Sequence, residues 1–85
     1  MKADKKKYQF DNYEVYAPKN INPDLVRTAY DTIKVRRALI WDMTFKGRYI
    51  NYTITQVIDE VEYWIEYYLD LKTRNIIFTD ISCRN

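Results

Sequence analysis

The one glycine of the chain, Gly47, stands between two stretches in which apolar and polar residues alternate. Glycine supplies the positive φ that a two-residue hairpin turn requires, and alternation of period two marks strands with one buried face. Folding residues 38–54 at Lys46-Gly47 sets Phe45 against Arg48, Met43 against Ile50 and Trp41 against Tyr52, on a nearly all-apolar face. Asp42, Thr44, Tyr49, Asn51 and Thr53 share the other, mostly polar face. A single turn sorts both strands, and a slip of one residue scrambles them. One long helix from Pro23 to Phe45 is the competing arrangement.

Scarcity of glycine also limits the chemistry. Gly-rich phosphate loops need several glycines, and this chain of 85 residues has one. It has no His and a single Cys, Cys83. The usual general base and metal ligand are therefore missing, and neither an internal disulfide nor a thiolate zinc cluster can form. A nucleophilic Cys83 needs a neighbouring base, so the residue reads as a bystander. The expectation is a non-enzyme with no metal and no cofactor.

Apolar residues make up 47% of the chain, enough to fold one domain, expected over residues 8–85 behind a flexible basic tail at 1–7. No apolar run approaches the roughly 20 residues that cross a membrane, and the charged first residues lack the apolar stretch of a secretory signal. A lone thiol suits a reducing compartment. These features predict a cytoplasmic protein. Ile, Tyr, Lys and Asn, whose codons are AT-rich, make 33 of the 85 residues, while Gly, Ala and Pro total seven. That bias fits low-GC bacteria and their phages.

Residues 8–17 read as a strand whose two halves are out of phase, which places a bulge or turn at Asp11-Asn12. Asn22-Pro23-Asp24 is a helix start: a capping Asn, Pro at the first helical position and an acid facing the positive helix terminus. Leu25, Val26, Ala29 and Ile33 continue it until the pattern decays near Val35. Thr53 and Gln56 form a capping box for a second helix, expected to reach Leu71 with Ile54, Val57, Ile58, Val61, Trp64, Ile65, Tyr68 and Leu69 as its apolar stripe. Residues 76–81 read as a last strand. The resulting order, β-α-β-β-α-β, predicts a ferredoxin-like α+β domain, the split β-α-β arrangement, with two helices on one face of an antiparallel sheet.

On that second helix Asp59, Glu62, Glu66 and Asp70 would fall on one exposed line, flanked by Tyr63 and Tyr67. An acidic surface for a host protein with a basic surface is one interpretation, and a solvated helix face is the plain alternative. Carboxylates one turn apart rarely converge on an ion, so the line is a poor metal site. Tyr49 with Tyr16 or Tyr8, supported by Lys46 and Arg48 at the hairpin tip, could instead stack single-stranded bases on the open sheet face. Asp42 and Glu14 on that face oppose phosphate. Net charge is only +2, and other bases, among them Arg36, Arg37, Lys72, Arg74 and those of the tail, are scattered. The preferred expectation is a protein-binding module of the inhibitor type found in phages and mobile elements, an anti-CRISPR-like antagonist or charge mimic of a bacterial host protein. A homodimer is compatible with it. The alternative is a small RNA- or DNA-binding domain.

Overall fold

The computed structural model describes residues 5–35 and 39–83. It contains β1 (Lys5–Phe10), β2 (Tyr13–Pro18), α1 (Pro23–Val35), β3 (Leu39–Lys46), β4 (Tyr49–Ile58), β5 (Val61–Asp70) and β6 (Ile76–Cys83). The strands form one mixed sheet in the order β1-β2-β6-β5-β4-β3. Every neighbouring pair is antiparallel except β2 and β6.

This corrects the ferredoxin-like expectation. Among the described residues there are six strands and one helix, and the second helix is instead the hairpin β4-β5. The chain reverses between them at Asp59-Glu60, both with positive φ (53° and 69°). Two consecutive positive-φ residues make a mirror-image hairpin turn, which matches the natural twist of paired strands. With the turn there, period two sorts both strands. Ile50, Tyr52, Ile54 and Ile58 share a face with Val61, Ile65, Tyr67 and Leu69. Thr53 and Gln56 are strand residues and cap no helix.

The first helix starts as the sequence predicts, with the Asp24 backbone N–H donating to Asn22 Oδ1 at 2.8 Å. The β3-β4 hairpin also forms, but its turn is Gly47-Arg48, so Lys46 faces Tyr49, Phe45 faces Ile50 and Met43 faces Tyr52. A shift of two in register leaves the faces unchanged, which is why the apolar sorting survives the error. Trp41 is the exception. A bulge between Ile40 and Asp42 moves it off the apolar face, and its Nε1 donates to Thr55 Oγ1. Residues 8–17 are two strands joined at Asp11-Asn12, with Asp11 at φ 54°. Lys5, Lys6 and Lys7 of the basic segment belong to β1, while residues 1–4, Arg36 and Arg37 lie outside the described residues.

The core lies between α1 and one face of the sheet. Val26, Ala29 and Tyr30 of the helix pack with Val15 and Ala17 of β2, Ile76, Phe78 and Ile81 of β6, Ile65 and Tyr67 of β5, and Ile54 of β4. Tyr67 stacks on Tyr52 (4.9 Å between ring centroids, 16° between planes) and leans on Phe78. Among the described residues the opposite sheet face carries no helix.

Candidate protein-interaction site

A helix is about 10 Å across, whereas six strands span about 24 Å. One helix therefore cannot cover this sheet. It covers core residues of β2, β6 and β5, and among the described residues it leaves Ile40, Met43 and Phe45 of β3 largely exposed. Met43 and Phe45 lie on the helix-side face through their pairing with Tyr52 and Ile50, yet they are 49% and 64% exposed. Ile40 and Trp41 are 55% and 56% exposed. Between α1 and the β4-β3 side runs a groove of about 450 Å³, walled by Tyr30 and Ile33 on the helix and by Tyr52, Tyr67, Met43 and Ile40 on the sheet. Lys34 stands at its rim, its Nζ 2.8 Å from Asp11 Oδ2.

The groove is built for contact with apolar groups. Its polar side chains are Tyr13, Tyr30, Tyr52, Tyr67 and Lys34. Burial, then the bond that Tyr30 Oη donates to Asp11 Oδ2 (3.0 Å), pushes the Tyr30 phenol up to about 12. Burial pushes the Tyr67 phenol up as well. Among the described residues no group of three His, Cys, Asp or Glu side chains is arranged to hold a metal ion.

The two edges of the sheet differ in kind. Edge strands expose unpaired N–H and C=O groups, and proteins commonly guard them with lysine. The β1 edge has this guard in the exposed Lys6 and Lys7, while Lys5 Nζ reaches back to the Phe78 carbonyl of β6 (3.0 Å). The β3 edge reads Leu-Ile-Trp-Asp-Met-Thr-Phe-Lys, with a single terminal lysine.

The residues singled out on the supposed second helix are not brought together. On a strand, residues of even and odd number face opposite ways. Glu62, Glu66 and Asp70 fall on the uncovered sheet face, whereas Tyr63 and Tyr67 fall on the helix side. Asp59 is in the turn. Glu62 is exposed, Glu66 accepts from Trp64 Nε1 at 2.7 Å, and Asp70 is buried against Arg48. Tyr67 is only 6% exposed, so it is a core residue and offers no contact surface.

The residues proposed for stacking bases fare no better as a group. Tyr16 and Tyr49 share the uncovered face but sit on β2 and β4, with β6 and β5 between them, roughly 14 Å apart by strand spacing. The Tyr16 hydroxyl donates to Glu14 at 2.9 Å. Tyr49 meets Tyr68 edge-on, and the Arg48 guanidinium over its ring is bound to Asp70. Lys46 ends the exposed β3 edge. Sequence reasoning misses the groove and the β3 edge, although the alternation sets Trp41, Met43 and Phe45 on one apolar strand face. The missing signal was the number of helices available to cover them.

Comparison of the chain with protein-family models, with curated proteins and with solved structures finds no match. Among the described residues no helix is long and apolar enough to cross a membrane.

Proposed function

We propose that this chain is a non-enzymatic protein-binding module that engages its partner through the outer edge of β3 and the groove beside it. The observation that carries this is the contrast between the two edges, one lined by lysines and the other by Ile40, Met43 and Phe45, all about half exposed or more. An extended partner strand gains main-chain hydrogen bonds at such an edge, and side-chain pockets on the adjoining face give it specificity. Inhibitors and adaptors work in this way without catalytic groups. A nucleic-acid function draws less support, because Glu14, Glu62, Glu66 and Asp80 share the uncovered sheet face with the tyrosines.

Capture on immobilised protein from a low-GC bacterial lysate to which a tagged copy of the chain is added, read by mass spectrometry, tests the proposal. Phe45→Asp places a charge in the middle of the apolar edge and should release proteins that the parent retains. Glu62→Lys/Glu66→Lys, on the other face, should retain them. If the first variant captures what the parent does and the second loses it, the acidic face is the binding surface and the proposal fails.

A further inference from the structure

We infer that the partner at this edge is a second copy of the chain, the two β3 strands pairing antiparallel about a two-fold axis through Thr44. The inference rests on the proposal that the β3 edge binds protein. Three features of the strand agree on this register.

The first is backbone parity. Gly47-Arg48 is a two-residue turn with positive φ at its glycine only, so Lys46 and Tyr49 close the hairpin as a hydrogen-bonded pair. Bonding direction alternates along an antiparallel strand. Asp42, Thr44 and Lys46 then turn their N–H and C=O groups toward β4, and Met43 and Phe45 turn theirs outward. With the axis at Thr44, Met43 of one copy lies opposite Phe45 of the other. The outward groups meet each other and make four hydrogen bonds across the axis.

The second is the match of faces. Met43 and Phe45 both belong to the groove side, so each copy sets them against the other's Phe45 and Met43. The two grooves join into one apolar trough. The third is charge. Asp42 of each copy falls opposite Lys46 of the other, giving two unlike pairs on the uncovered face. Moving the axis to Met43 sets Asp42 against Thr44 and runs Phe45 into the bulge at Trp41. Any half-step sets apolar residues against polar ones. The straight part of the edge, between that bulge and the turn at Gly47, is residues 42–46, and Thr44 is its centre.

Sedimentation of the full chain tests this. The parent should be a dimer. Asp42→Lys and Lys46→Asp each replace two unlike contacts by two like ones and should weaken the dimer by about tenfold. The double exchange Asp42→Lys/Lys46→Asp should restore it. Both residues are exposed, and unchanged melting temperatures will show that the fold is kept. Thr44→Cys in a Cys83→Ser background should form a disulfide dimer on mild oxidation, because directly opposed residues of a non-bonded pair lie about 4.5 Å apart at Cα, within disulfide range. A monomer at all concentrations up to about 1 mM, or a dimer that the double exchange fails to restore, overturns the inference. A monomer that still captures a protein through Phe45 overturns self-pairing alone. A monomer whose captures ignore Phe45 overturns the binding edge as well.

Discussion

Asp70 fastens two turns at one end of the sheet. One carboxylate oxygen accepts the Lys72 and Thr73 backbone N–H groups (2.9 and 3.3 Å), shaping the turn that follows β5. The other pairs with Arg48 of the β3-β4 turn, and the Arg48 carbonyl accepts from Leu71 N at 2.8 Å. The Arg48 guanidinium, aided by the two N–H donors, holds the Asp70 carboxyl well below the usual carboxylate range. Arg48 is half exposed, so water screens part of its share. A carboxyl whose folded pKa is lowered stabilises the fold above its unfolded pKa of about 3.9, and that stabilisation is lost as pH falls through the folded value. Asp70→Asn should therefore lower the urea midpoint at pH 7, because the charge that pairs with Arg48 is lost while an oxygen remains for the two N–H groups. The gap between variant and parent should narrow as pH drops below about 4. Urea unfolding at pH 7 and pH 3 measures both, and an equal gap at the two pH values would refute the assignment. The sequence makes Asp70 conspicuous as an acid, but its burial depends on a turn 22 residues away in the chain.

At the scale of elements, the turn Asp59-Glu60 explains the largest error of sequence reasoning. Mirror-image hairpin turns usually show themselves by a glycine at the second position. Here that position is Glu60, held at φ 69°, and without the glycine nothing marks a reversal. Trp64 and Tyr68, apolar residues on the uncovered face, then complete a false helical stripe through Ile54, Ile58, Val61 and Ile65. Where local chemistry was explicit, as at the Asn22 cap and at Gly47, the structure agrees with the sequence to within a residue. The strain at Glu60 predicts a gain from relieving it. A non-glycine residue in the left-handed region costs roughly 1 kcal/mol or more. Glu60→Gly should raise stability by about 1 kcal/mol, or a melting temperature by about 4–8 °C for a domain of this size. A lower melting temperature would mean that Glu60 makes contacts outweighing its strain.

The molecule as a whole is closed by its last strand. β1 and β2 form one hairpin, β3 to β6 form a meander, and α1 carries the chain from one edge of the sheet to the other. β6 then enters between β2 and β5, parallel to β2 at Val15↔Ile76 and Tyr16↔Ile77. Such a join pairs residues about 60 positions apart, so no local pattern announces it, and sequence reasoning placed the last strand without finding its neighbours. Its consequence is that the sheet is two separate pieces until β6 is in place. β6 also brings Ile76, Phe78 and Ile81, all buried, to the core. Losing large buried side chains costs about 2–5 kcal/mol each, and three of them match the 5–15 kcal/mol that holds a whole domain together. A chain ended at Asn75 also leaves β2 and β5 with open edges, which invite association. It should show no cooperative melting, a flat near-ultraviolet circular dichroism signal and aggregation on concentration. Ending the chain at Cys83 should preserve the parent's transition, since every described element is then present. If the chain ended at Asn75 melts cooperatively with native-like aromatic signals, β1-β2, α1 and β3-β5 hold a core without β6, and the central strand is an addition to a fold already formed.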